Sequence, residues 1–339
     1  MTAVNRQYRL KQRPEGRVAR SDFELVEAPV PRVPAGGLLV RVRFLSIDPT
    51  NRVWLKDIPQ YMPPVALGEV MRSYGVGEVI AAEAEDFAPG DWVAGMVGWQ
   101  DYAALLPGGP FGVTRLPMAL GLPPQAFLGV AGGNGVTAYY GLVDLCRPQP
   151  GETVIVSAAA GAVGSVVGQL AKIQGARAVG IAGGPAKRRF LTEELGFDAA
   201  IDYKAEDWRQ QLRAAAPDGA DILFENVGGP VMEAVLAQMK IGGRVALCGL
   251  ISAYNGEAST RADFSPLIMR RLTAHGFNII DYAGRWPQAV ERLAGWVREG
   301  RLVGRETTLD GLETCPDALN LLFDGGNTGK LLVRVGDPA

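Results

Sequence analysis

The stretch "TVIVSAAAGAVGSVVGQLAKIQG" places Ala159, Gly161 and Gly164 behind an apolar run and ahead of a helix-like segment. Small residues at this spacing let a chain turn sharply out of a strand, bring its backbone against a bulky anion and pack the next helix closely on the strand. A helix that begins there offers free N–H groups and the positive end of its dipole. The chemistry is the holding of a pyrophosphate by Gly161, Ala162, Val163 and Gly164, with Ala159 standing where the first glycine of the fingerprint is usual. A tight strand-to-helix turn without a ligand gives the same pattern. The strand before the glycines and the helix after them favour the dinucleotide.

The next strand bears on which dinucleotide it is. An NAD site ends this strand with an acid, about 20 residues after the glycines, to hold the ribose 2′-hydroxyl. Here "VGIAGG" ends without one, and Lys187, Arg188 and Arg189 follow. A cation at that point neutralises a 2′-phosphate that an acid would repel. The spacing favours NADP(H); a solvated helix face is the other reading of Lys187, Arg188 and Arg189, and the better one for Arg188 and Arg189 singly.

Metal chemistry fails on ligand count. A catalytic zinc takes three protein ligands and a structural zinc commonly four cysteines. The chain has one histidine, His275, and three widely spaced cysteines, Cys146, Cys248 and Cys315. No metal is expected, and His275 reads as a surface or packing residue.

The elements that must position these groups follow from the punctuation of the chain. It has 339 residues, 47 % of them hydrophobic, enough for about two domains. The formal charge of -2 offers no basic field for nucleic acid or anionic lipid. Scattered cysteines, no signal-like leader and no apolar run of about 20 residues point to a cytoplasmic protein. Residues 1–127 read as short strands between Pro and Gly turns, such as "FELVEAPV", "GLLVRVRFLSI", "YGVGEVIAA" and "DWVAGMV", which suits a small β-barrel. Residues 128–305 alternate apolar strands, "TVIVSA", "ARAVGIAG", "AAIDY", "DILFENV", "RVALCGLI" and "GFNIID", with helix-like stretches, the rhythm of a doubly wound parallel sheet. Residues 306–339 return to strand character with "TGKLLVRV" and are expected to rejoin the first domain.

"SIDP", "FAPGDWV", "AAAGAVGSVVGQLAK", "GFDAAIDYK", "FENVGG", "CGLISAYN" and "GNTGK", in this order, resemble the zinc-free medium-chain dehydrogenases/reductases, in the branch of prostaglandin, alkenal and curcumin reductases. The resemblance covers nearly the whole chain. It implies a GroES-like β-barrel catalytic domain, a Rossmann domain and NADPH-dependent reduction of the carbon-carbon double bond of α,β-unsaturated aldehydes or ketones. It also implies that Lys187 and Tyr203 hold the 2′-phosphate and Asn226 the ribose region. Cys248, Gly249, Leu250, Ile251, Ser252, Ala253 and Tyr254 would hold the nicotinamide half, and Phe277, Asn278, Ile279 and Asn327 would add further cofactor contacts. Met96 and Val97 match a substrate-lining segment.

Departures from the family pattern leave the proton donor open. Many relatives carry a tyrosine after the Asp-Pro of the first motif, whereas this chain reads Asp48, Pro49, Thr50. Tyr254 is the first candidate for ordering the ribose hydroxyl and the substrate oxygen, and Tyr61 the second. Cofactor positioning alone is the other role open to Tyr254, and packing or a lid contact the other role open to Tyr61. Oxidation of an alcohol, reduction of a quinone, and a cofactor-binding protein without catalysis stay as alternatives. Such reductases pair apolar sheet edges across a two-fold axis, so a homodimer is expected.

Overall fold

The computed structural model describes residues 4–109, 112–256 and 263–336. The chain divides into two units, one running to Leu128 and taking up Glu306–Asn327 and the residues from Leu331, the other formed by Gly129–Arg305 with Thr328–Lys330.

In the first unit the strand Leu38–Ile47 is the spine. It pairs antiparallel with Gly75–Ala82 along its length, with Tyr102–Leu105 at one end and with Lys330–Arg334 at the other. Two register irregularities, between Leu39 and Val40 and between Val42 and Phe44, bend it, and glycine lets the partner strand follow the bend. A Cβ on Gly77 would stand 2.3 Å from the Arg41 carbonyl oxygen, and one on Gly75 2.6 Å from that of Phe44. The seven-stranded sheet closes over a core that includes Leu45, Ile47, Leu55, Met71, Trp99, Leu331 and Val333. A separate antiparallel pair, Val4–Leu10 with Phe23–Pro29, adds Leu10 and Phe23 to that core.

The second unit is a six-stranded, wholly parallel sheet in the order Ala199–Asp202, Arg177–Ala182, Thr153–Val156, Ala220–Glu225, Met239–Leu247, Thr273–Gly276. Numbered along the chain this is 3-2-1-4-5-6, the doubly wound order whose direction reverses between the strands ending at Val156 and Glu225. Ligands of such sheets bind outside the carboxyl ends of the strands at that reversal.

The last expected strand needs correction. "GFNIID" is not a strand: the sheet ends at Gly276, and Ile279–Arg285 is a short 3-10 helix. The Asn278 side chain accepts the Ile280 N–H at 3.1 Å and starts the helix, while Phe277 turns inward, its ring edge-on to Phe224 at 6.2 Å. The tail is also divided, because the amide of Gly329 donates to the Ala160 carbonyl at 2.8 Å and that of Lys330 to Arg305 at 2.8 Å. Gly329 has φ +68, and a Cβ on it would stand 2.0 Å from the Arg305 oxygen.

Candidate functional site

At the carboxyl end of Thr153–Val156 the chain turns through Ser157–Ala160 and enters the helix Ala162–Ile173, with Gly161 as its N-cap. The sharp bend expected at Ala159 lies one residue earlier. Ala158 adopts φ 48, and Ala159 is fully buried, its methyl 2.9 Å from where a Cβ on Gly180 would be. Gly164 supplies the close approach: a Cβ there would stand 2.5 Å from the Ala158 oxygen and 2.8 Å from the Ala159 Cα. The amides of Ala162, Val163 and Gly164 open the helix and have no acceptor within it, as at any helix start. The cradle thus fits a pyrophosphate.

The bend carries a stability prediction. A left-handed alanine costs about 1–2 kcal/mol, and replacing alanine by glycine loosens the unfolded chain by about 0.4–1 kcal/mol. Ala158→Gly is therefore expected to stabilise the protein by about 0.5–1 kcal/mol. Chemical denaturation would register this as a higher midpoint at unchanged slope, and a lower midpoint would show that the methyl is needed for packing.

Beyond the second strand, Gly183 and Gly184 lead into the helix Pro185–Arg189. The Asp202 carboxylate accepts the amides of Gly184 at 2.8 Å and Lys204 at 3.0 Å, tying the ends of the second and third strands together. A Cβ on Gly183 would stand 3.0 Å from carbons of both Tyr203 and Lys204, so these two side chains lie over the glycine. Lys187 is near enough that burial first, and the Lys204 charge second, hold its ammonium below the ordinary lysine range. Lys204, which the sequence reading missed, is thus a second cation beside Lys187 and Tyr203. Arg188 turns away and donates to the Ala200 carbonyl at 2.9 Å.

The other half of the reversal point is a pair of loops. The Asn226 amide donates to Ser157 Oγ at 2.8 Å, and its side-chain nitrogen to the Ser157 carbonyl at 2.7 Å. Glu225, fully buried, accepts the amides of Val227 at 2.5 Å and Gly228 at 2.7 Å on its carboxyl, and those of Cys248 at 2.9 Å and Gly249 at 3.2 Å on its carbonyl. Burial pushes the Glu225 carboxyl above its ordinary range, against the pull of these N–H groups. Ser252 bonds the Val227 carbonyl through its amide at 3.1 Å and its hydroxyl at 2.6 Å, and the Ile251 amide donates to the Asn226 carbonyl at 3.1 Å. The Tyr254 hydroxyl accepts the Leu250 amide at 3.2 Å, fastening its own loop. Burial pushes the Cys248 thiol up to about 12, so its sulfur is no nucleophile at neutral pH.

In the first unit the half-exposed Tyr61 has its hydroxyl hydrogen-bonded to Thr50 Oγ1 at the start of the helix Pro49–Trp54. That helix start is held by Asn51, whose oxygen accepts the Asp48 amide at 2.7 Å and whose nitrogen donates to the Arg72 carbonyl at 3.0 Å. Arg72 in turn donates to Pro63 at 2.7 Å and lies over the Trp54 ring at 5.6 Å. Thr50 and Tyr61 are thereby joined where the sequence had only noted a missing tyrosine. Met96 is partly buried against the core of this unit. Val97, just beyond the strand Trp92–Gly95, is 1 % exposed and packed within the same core. Asn327 is buried and immediately precedes the Thr328–Lys330 segment that pairs with the glycine turn.

Among the described residues no three His, Cys, Asp or Glu side chains converge as a metal site. His275 lies on the exposed edge strand.

Residues 6–113 match the family of N-terminal domains of oxidoreductases, and residues 162–295 the family described as zinc-binding dehydrogenases. The NADPH-dependent curcumin reductase of Escherichia coli is 41 % identical over 341 residues, covering 98 % of this chain and 97 % of that one. The chain belongs to the zinc-free medium-chain dehydrogenase/reductase family. The NADP(+)-dependent 2-alkenal reductase of Nicotiana tabacum is 38 % identical over 98 % of this medium-chain reductase and 97 % of its own length. A crystal structure of CurA in complex with NADPH from Vibrio vulnificus superposes with a TM-score of 0.91 at 38 % identity, covering 98 % of this chain and 100 % of that one.

Proposed function

We propose that this NADP(H)-dependent oxidoreductase reduces the carbon-carbon double bond of α,β-unsaturated aldehydes or ketones. The observation that carries the reading is kinship along almost the whole chain with enzymes named for curcumin and 2-alkenals, both carbonyl compounds conjugated to a double bond. The cofactor is NADP(H), and its residues here are the Gly161–Gly164 turn, Lys187, Tyr203 and Lys204, Asn226 and the loop 248–254. When bound, it supplies the hydride.

The task left to the chain is to hold the substrate and steady the negative charge that develops on its oxygen as the β carbon is reduced. A hydroxyl donor performs this without metal or histidine. The Tyr254 hydroxyl accepts the Leu250 amide and keeps its own hydrogen to donate, so Tyr254 orders the nicotinamide ribose and stays, ahead of Tyr61, the candidate hydroxyl for the substrate oxygen. The α proton then comes from solvent.

Deuterium placement tests the reaction. With deuterated NADPH and a simple enone, the saturated ketone is expected to carry deuterium at the β carbon and a solvent proton at the α carbon. An allylic alcohol labelled on the former carbonyl carbon would instead establish alcohol dehydrogenase chemistry. Consumption of NADPH with quinones alone would favour the quinone-reductase alternative.

A cytoplasmic homodimer belongs to the same reading. Thr273–Gly276 is an edge strand with all four residues exposed, near the exposed Phe264, Ile268 and Met269. Its unpaired backbone groups and apolar flank suit a second copy of the chain. Light scattering is expected to give twice the monomer mass at micromolar concentration, and a monomer there would remove the dimer. Among the described residues no helix is long and apolar enough to cross a membrane.

A further inference from the structure

Glu225 belongs neither to the glycine turn nor to the phosphate cations, yet the loops beyond the fourth and fifth strands both hang on it. Its side-chain Oε1 gathers the amides of Val227 and Gly228, and its main-chain oxygen gathers those of Cys248 and Gly249. The two sets differ in what a substitution removes. The main-chain bonds persist with any residue at 225, whereas the bonds to Val227 and Gly228 exist only with an acceptor on the side chain. The effect then passes onward. Val227, once fixed, offers its carbonyl to the amide and hydroxyl of Ser252, and Asn226 offers its own to the amide of Ile251. Ile251 and Ser252 begin the 3-10 turn Ile251–Ala253, which leads into Tyr254 and its bond to Leu250. A chain of hydrogen bonds thus runs from one buried carboxyl to the residue that orders the nicotinamide ribose.

We infer that Glu225 is the positioning residue for the nicotinamide half of the cofactor, acting as a buried acceptor that keeps the loops 226–229 and 248–254 in register. The inference rests on the cofactor assignment and concerns no step of the chemistry. Glu225 touches neither reacting atom; it acts through Val227, Gly228 and Ser252. The adenosine half is held chiefly elsewhere, by the glycine turn, Lys187 and Lys204; the two networks meet at Ser157, which accepts the Asn226 amide and acts on the Glu225 carboxyl.

That separation gives the test. Binding of NADPH and of adenosine 2′,5′-bisphosphate, which carries only the adenosine half, is measured by calorimetry on the full-length protein. Glu225→Leu fills the space but leaves the buried Gly228 amide and the part-buried Val227 amide without an acceptor, and is expected to weaken NADPH about 10- to 100-fold. The bisphosphate should move less than about 3-fold. Glu225→Gln keeps an oxygen acceptor and should hold NADPH within about 3-fold of the parent protein. Ser252→Ala breaks the same chain further along with less risk to folding, and is expected to weaken NADPH about 3- to 10-fold with the bisphosphate again unaffected. Should Glu225→Leu fail to fold, Ser252→Ala decides. Equal losses for both ligands, unchanged NADPH binding, or a Gln variant as impaired as Leu would each overturn the proposal. Failure of the parent protein to bind NADPH would overturn the cofactor assignment itself.

Discussion

Replacing Lys187 and Lys204 together by alanine is expected to weaken NADPH binding by about 2–4 kcal/mol, roughly 30- to 1000-fold, with NADH changed less than about 2-fold. Lys187 carries most of this. It is partly buried, and a hydrogen bond from a charged group to phosphate in such a place is worth about 1.5–3 kcal/mol. Lys204 is exposed and screened by water, so it adds at most about 1 kcal/mol. NADH has no 2′-phosphate and gives up neither contact. The same pair predicts a pH dependence whose sign follows from the direction of the Lys187 shift. Burial and then Lys204 hold its ammonium below the usual lysine range, and a bound phosphate raises it again, so binding favours the protonated form. NADPH affinity is therefore fully present below the depressed Lys187 pKa and falls as pH rises through it, while NADH affinity stays flat. Calorimetry with both cofactors across the alkaline range, on the parent protein and on each single variant, checks the two effects together. Equal losses for both cofactors in Lys187→Ala would remove the 2′-phosphate assignment.

The contrast between these two lysines shows what the sequence makes legible. Lys187 stands where a helix follows the second strand, a position defined by distance from the glycines along the chain, so local spacing suffices to find it. Lys204 follows the third strand, and only the lateral order of the sheet, with Ala199–Asp202 beside Arg177–Ala182, sets it over Gly183. Spacing carries no such information. The parallel sheet itself was legible because its central strands are buried on both faces and read as apolar runs. The same rule misled at "GFNIID", where apolar side chains pack inward from a loop and a 3-10 turn. At Val97 a match to a substrate-lining segment fixes a position on the chain, not the direction of a side chain, which packs into the core. Glu225 lies inside the quoted "FENVGG", but its role gave no signal, since its partners are main-chain amides that any residue type could supply.

The helix that presents the pyrophosphate amides depends on one further glycine, which no fingerprint includes. Gly168 faces the ring of Phe197, and a Cβ there would stand 1.8 Å from one ring carbon and 2.3 Å from another. Helix propensity alone would favour a larger residue: leucine in place of a mid-helix glycine gains nearly 1 kcal/mol. Against this, a leucine must find room for four carbons where a buried ring already sits, and overpacking costs about 1–3 kcal/mol even when the mismatch is only a methylene or two. Here it is larger, so the clash wins, and Gly168→Leu is expected to lose about 3 kcal/mol or more. Because Phe197 is itself 4 % exposed, the ring has no path to solvent, and the helix Ala162–Ile173 must lift from the sheet. Lifting it withdraws the amides of Ala162, Val163 and Gly164 from the phosphates, so NADPH and NADH should weaken alike, unlike the result at Lys187. Phe197→Ala in the same chain empties the space the leucine needs, and the double variant should recover at least half of the lost stability. Thermal and urea unfolding of the single and double variants measures this coupling, and strict additivity of the two substitutions would show that the ring is not what holds Gly168 in place.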